Sequence, residues 1–240
     1  MKLLAVSFAY PPLAYPRSIQ VARLLKNLSA ETVLFCADEP GARTDPTIEP
    51  DAESKLEGCV RIPVKSSAAS EMIDRIAYRF ARGLWNRRNL APDAYGTWKM
   101  AVIAEAEKYL EDTGFRPDAI VAFAQPFTDH LIGLELKKRY GLPLVAHFSD
   151  PWSDNPFAPF DERTRRVNLE LERSVVEAAD MLIFTSAETV DLFFAKYPDE
   201  LRRKARVLPQ CYDAGLFAGT APGKAGPIVV KYLGNFYGKR

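Results

Sequence analysis

At 240 residues the chain has room for one large domain or one and a half ordinary ones, and 48% hydrophobic against 26% charged residues is the composition of a globular enzyme or binding protein. The 32 basic and 31 acidic residues leave a formal net charge of +1, which excludes a global field for nucleic acid. Three scattered cysteines, Cys36, Cys59 and Cys211, lack metal-ligand spacing and exclude a disulfide framework, so they read as small buried groups of a cytoplasmic protein.

The first nine residues resemble a signal peptide only briefly, because Tyr10-Pro11-Pro12 stands where a small-residue cleavage site belongs. No stretch reaches the roughly 18 apolar residues that span a bilayer. Lys2–Ala9 reads instead as a buried parallel strand. Apolar residues from Ile19 to Leu28 predict a helix over Arg17–Leu28, followed by strands at Thr32–Cys36 and near Cys59–Val64. Helices are expected over Ser70–Arg88 and Thr97–Asp112. Strand Ala119–Phe123, helix Thr128–Tyr140 and strand Leu144–Phe148 come next. Helix Glu162–Ala179, strand Met181–Thr185, helix Ala187–Lys196 and strand Ala205–Leu208 complete the series. This alternation argues for an α/β fold with a doubly wound parallel sheet, a Rossmann-like domain over residues 1–217.

Residues 218–227 are rich in glycine, proline and alanine and read as a linker. Gly219 to Lys224 superficially resembles a P-loop, but its glycine spacing is one residue short and Ala225 stands where Ser or Thr is required. Residues 228–240 read as a strand, Ile228–Leu233, entering a glycine turn at Gly234 with the cations Lys239 and Arg240, a mount for a phosphorylated ligand. No helix follows, so this run is expected to be the first strand and loop of a truncated second domain.

In an open parallel sheet ligands collect at the carboxyl ends of the strands, which directs attention to the loops that follow them. These are Tyr10–Ser18, Ala124–His130, Ser149–Asp154 and Ser186–Glu188, and they bring polar and aromatic residues to one rim, as a sugar-binding cleft requires. Asp150 stands just past a strand with Pro151 holding it out of a helix; it either meets a ligand or caps backbone amides in an Asx turn. Trp152 beside it can stack on a sugar ring. His130, in the first turn of a helix at the ligand edge, can contact an anionic or hydroxylated group, whereas His147 lies within a strand and reads as a satisfied core histidine. Arg17 opens the first helix, where it either clamps an anion or sits solvated at the surface. Arg75, Arg79 and Arg82 share one helical face that ends near Trp85, and such a face either touches an anionic membrane or simply covers the core. No Asp-x-Asp pair, zinc-spaced His/Cys cluster, Gly-x-Ser-x-Gly elbow or Gly-x-Gly-x-x-Gly fingerprint is present.

Several motifs occur in one order: Tyr10 to Gln20, Pro92 to Trp98, Asp129 to Gly133, Gly141 to Pro156, Glu177 to Glu188, Val207 to Asp213 and Tyr232 to Arg240. Together they resemble the retaining GT-B-fold glycosyltransferases of bacterial surface-polysaccharide assembly, over essentially the whole chain. The resemblance implies an acceptor-binding N-terminal domain facing a nucleotide-sugar-binding C-terminal domain. It implies metal-independent transfer, with no cofactor beyond the donor, to a lipid-linked or growing glycan. It places Asp150 and His130 in the catalytic region and assigns Tyr15, Arg17, Ser18, Gln125 and Trp152 to the acceptor. Gly234, Asn235, Lys239 and Arg240 are assigned to the donor diphosphate. Relatives usually carry an acidic residue and an arginine where this chain has His147 and Ser149, and many carry arginine in place of Asn235. The family's donor-binding glutamates find no counterpart in these 240 residues, so the chain alone is expected to be inactive. The alternative is a non-catalytic Rossmann-like glycan-binding module, or one subunit of a split enzyme.

Overall fold

The computed structural model describes residues 1–38, 58–65, 92–93, 95–156 and 160–212. The expected helix over Ser70–Arg88, the linker 218–227 and the terminal strand and turn 228–240 lie outside these residues. In chain order the elements are β1 (Lys2–Val6), α1 (Pro16–Lys26), β2 (Glu31–Ala37), β3 (Cys59–Val64), α2 (Gly96–Thr113), β4 (Ala119–Phe123) and α3 (Thr128–Tyr140). They continue with β5 (Leu144–Phe148), α4 (Glu162–Ala178), β6 (Met181–Phe184), α5 (Ala187–Phe194), the single turn α6 (Asp199–Arg202) and β7 (Ala205–Val207).

Local chemistry accounts for most boundaries. Pro16 begins α1, where a helix needs no amide donor. The Asp161 carboxylate accepts the Thr164 amide at 2.8 Å to start α4, and the Ser186 hydroxyl does the same for α5 through Thr189 at 3.2 Å. Gly141, at φ +68°, ends α3 in the left-handed conformation that favours glycine. β1 ends at Val6, short of the expected Ala9, although the Ser7 amide and the Phe8 carbonyl still bond to β2. The single turn α6 was not expected from the sequence.

All seven strands are parallel and lie in the order β3-β2-β1-β4-β5-β6-β7. The chain therefore winds outward from β1 to β3, returns to set β4 beside β1, and winds outward the other way. Right-handed crossovers in opposite directions put the helices on opposite faces. Side-chain alternation along β1 shows both: Leu3 and Ala5 pack with Val21, Ala22 and Leu25 of α1, while Leu4 and Val6 pack in the larger cluster with α2, α3, α4 and α5. The reversal of direction lies between β1 and β4, and their carboxyl ends open the crevice where such sheets bind ligands. Among the described residues no helix is long and apolar enough to cross a membrane.

α3 lies against the sheet at Gly133, where an added Cβ would stand 2.8 Å from Leu144 Cδ1 and 3.0 Å from Ala122 Cβ. Both neighbours are fully buried, so neither can withdraw. Gly133→Val is expected to destabilise the domain by about 1–3 kcal/mol through overpacking, read as a lower urea midpoint at unchanged slope.

Candidate functional site

The site grows from a carboxyl group beneath the crevice. Asp129, in the first turn of α3, is completely buried. Its Oδ2 accepts the Phe8 amide at 2.7 Å, and its Oδ1 accepts the Trp98 indole N–H at 2.8 Å. One side chain thus ties the loop after β1 to the starts of α2 and α3, and the Phe8 ring meets Trp98 edge-on at 5.3 Å. Burial pushes the Asp129 carboxyl up to about 8, while the two donated hydrogen bonds favour the ionised form and hold it from rising further. Beside it Asp93 accepts the Thr128 amide at 3.1 Å and the Thr128 hydroxyl, supplying α3 with a cap from outside its own sequence. Burial of that carboxyl pushes it up to about 6.

The loop held by Asp129 delivers Arg17 to the end of β5. Arg17 is 8% exposed, and its NH2 nitrogen lies 2.8 Å from His147 Nδ1 and 3.2 Å from the His147 carbonyl oxygen. A guanidinium has only donors, so Nδ1 accepts and the imidazole proton sits on Nε2. His147 is accordingly neutral: burial, and then the Arg17 charge, lower it to about 3. The other terminal nitrogen of Arg17 donates to Gln20 Oε1 at 3.2 Å, and Cζ lies 5.7 Å from the Phe123 ring centroid. Desolvation lowers the guanidinium to about 10, against the charges of Asp129 and Asp150, which raise it. His147, read from the sequence as a core residue, is therefore the partner that orients Arg17. The sequence marked only a polar residue in an apolar strand.

The other expected residues divide. Asp150 is exposed at the end of β5 and accepts the Ser149 hydroxyl at 3.0 Å, and Gln125 is exposed on the neighbouring β4 loop. Tyr15, 43% exposed, stands at the N-cap of α1. Ser18 is fully buried with its hydroxyl unpartnered, inside the crevice floor rather than on its surface.

Trp152 is a correction. It has no exposed surface, lies flat on Phe127 at 4.6 Å and 5°, and donates its indole N–H to Asn168 Oδ1 at 2.7 Å, so no face remains for a sugar ring. His130 is another correction. It is fully buried among Phe127, Phe148 and Trp152, with neither ring nitrogen hydrogen-bonded, so it reaches no ligand in this conformation. Burial holds its pKa well below the ordinary histidine range. Gly234, Asn235, Lys239 and Arg240, with Arg75, Arg79, Arg82 and Trp85, lie outside the described residues. Among the described residues no group of three His, Cys, Asp or Glu side chains gathers to hold a metal ion.

The two raised carboxyls make stability depend on pH. Each binds its proton more tightly in the folded state, so the stability they confer is complete below the ordinary carboxylate range and is lost as pH rises through about 6 for Asp93 and about 8 for Asp129. Asp129→Asn should remove the fall between pH 6 and 8. It should also cost about 1–3 kcal/mol at pH 5, because its amide nitrogen cannot accept from the Phe8 or Trp98 N–H that it faces. Thermal melts from pH 5 to 8, followed by tryptophan fluorescence, measure both.

A family model described as the glycosyl transferase 4-like domain matches residues 16–210. No curated protein sequence matches the chain. Among solved structures, HepE of Anabaena in complex with UDP aligns with a TM-score of 0.53 at 12% identity, covering 90% of this chain and 46% of HepE. Apo UGT2 of Phytolacca americana aligns at 0.54 and 8% identity, covering 90% of this chain and 53% of UGT2. The same UGT2 with UDP-2fluoro-glucose and pterostilbene aligns at 0.51 and 10% identity, covering 87% and 52%. The chain thus spans about half the length of these structures, and at such identities the likeness is one of fold, the Rossmann-like sheet of GT-B glycosyltransferases. With its family model spanning residues 16–210, the chain belongs to the glycosyl transferase 4-like domain family.

Proposed function

We propose that this domain binds the acceptor in a retaining glycosyltransferase of surface-polysaccharide assembly, which moves a sugar from a nucleotide donor to a lipid-linked or growing glycan. The observation that carries the reading is the gathering of Arg17, His147 and exposed Asp150 at the carboxyl edge of a sheet in this family, beside the β1/β4 reversal. HepE, solved with UDP, supports a nucleotide sugar as donor.

In transfer the acceptor hydroxyl oxygen bonds to the anomeric carbon as the bond from that carbon to the diphosphate breaks. The electron pair leaves on the diphosphate, which also takes the hydroxyl proton. Asp150 accepts a hydrogen bond from the acceptor hydroxyl and fixes its approach, Gln125 and Tyr15 lie along the same rim, and the Ser149 hydroxyl orients the carboxylate. Negative charge grows on the diphosphate, where fixed donors count most. Gly234, Asn235, Lys239 and Arg240 fill that role in this reading, as the motif resemblance implies, and a donor-holding domain opposite this one completes the cleft and excludes water. Contact of Arg75, Arg79, Arg82 and Trp85 with an anionic membrane would bring a lipid-linked acceptor to the crevice.

In a transferase that contains this domain, Asp150→Ala should lower kcat about 10²-fold or more at unchanged melting temperature. Undiminished turnover with radiolabelled UDP-sugars would remove Asp150 from catalysis. The 240-residue chain by itself should transfer no sugar in the same assay.

A further inference from the structure

Arg17 is a buried cation without a counter-charge among the described residues. Its guanidinium is over nine-tenths buried, yet its hydrogen-bond partners are a neutral imidazole, a backbone carbonyl and a neutral amide, and its Nε–H has no partner. Among the described residues no carboxylate lies within salt-bridge distance of it; the charges of Asp129 and Asp150 act on it only from farther off. A buried charge left in this state is costly unless something pairs it.

The side chain also lines a recess. The recess, about 260 Å³ counted out to its open mouth, is bounded by Arg17, Gln20, Phe123, His147 and the segment 208–211 that leaves β7. Arg17, Gln20, Val21 and Leu24 bring one face of α1 to it, and the N-terminus of that helix carries no acidic residue and no side-chain cap. The unpartnered Nε–H of Arg17, a guanidinium held in place by His147 and the Nε2–H of that same histidine are all donors, and they suit an oxyanion.

We propose that this recess seats an anionic group of the acceptor, a phosphate or a carboxylate, which supplies the counter-charge that Arg17 lacks. The inference rests on the reading of this domain as the acceptor side of a glycosyltransferase and specifies the acceptor's chemistry. A phosphate corresponds to a lipid-phosphate-linked glycan, and a carboxylate to a growing glycan that contains a uronic acid. His147 and Gln20 are positioning residues for Arg17. Phe123 provides an apolar wall against which the guanidinium plane is held.

The test uses the 240-residue chain with inorganic phosphate, glucuronate and, as an uncharged control, glucose. The Arg17 Nε–H resonance should shift saturably with phosphate or glucuronate and not with glucose. A response to phosphate alone identifies a phosphate-bearing acceptor, and a response to glucuronate alone identifies a carboxylate. Gln20→Glu places a carboxylate beside Arg17, exchanging the Gln20 amide N–H donors for an acceptor while leaving those of Arg17 and His147 in place. It should raise the melting temperature in the absence of anion and weaken anion binding about tenfold or more, since one charged hydrogen bond is then satisfied internally. Because phosphate also stabilises proteins by exclusion from their surface, the decisive comparison is the resonance in the two proteins. No saturable shift with either anion, or an equal shift in Gln20→Glu, would overturn the proposal. Failure here with sugar transfer intact overturns only the anionic seat. Saturable anion binding without transfer by any enzyme containing the domain leaves the seat standing and overturns the transferase reading.

Discussion

Past Val6 the chain stays bonded to β2 through the Ser7 amide and the Phe8 carbonyl, but the amide of Phe8 finds its partner in a side chain rather than in another strand. The Asp129 carboxyl lies 121 residues farther along the chain and takes the indole N–H of Trp98 on its other oxygen. Three distant segments therefore meet at one buried group, in surroundings where an unsatisfied polar atom would be expensive. The consequence reaches the crevice directly. With the β1 loop fixed at Phe8, Pro16 can start α1 where Arg17 meets the end of β5, and the site depends on that placement.

A second constraint holds the opposite rim. Glu172, fully buried on α4, accepts the Ser153 amide at 2.8 Å and the Tyr197 hydroxyl at 2.7 Å, and pairs with Lys196 at 2.8 Å. Lys196 also reaches Asp154, which pairs with Arg165. Removing Glu172, the fully buried member, costs about 3–5 kcal/mol because it strands Lys196 and the Tyr197 hydroxyl. Together with the Trp152 indole bound to Asn168, the network fastens the loop that follows β5 to α4 and α5. Asp150 is left as the exposed member of a segment whose other side chains are locked. Such a mount lets a single carboxylate hold its aim toward a substrate.

The succession of strands along the chain and most of the helices were legible in the sequence, because short apolar runs buried on both faces and apolar repeats of helical period are local signals. Strands β3, β4 and β5 and helix α3 have the bounds that these patterns predict, and the strand-end loops were correctly located as the rim. Side-chain roles within those loops were less legible. Trp152 looked like a sugar platform because an aromatic beside an exposed aspartate has the composition of a binding loop. Only the packing of α4 turned its ring inward. His130 stood at the expected helix start, yet Phe127, Phe148 and Trp152 closed over it.

By itself the sequence determined the parallel α/β sheet and the loops that gather at the carboxyl ends of its strands, since each follows from periodicity or from a residue's immediate neighbours. The tertiary structure alone decided that Asp129 is the buried clamp and that His147 orients Arg17. It also decided that Arg17 is buried with no paired carboxylate among the described residues. These facts depend on hydrogen bonds between residues 121 and 130 positions apart, and on desolvation that exists only once the helices have packed onto the sheet.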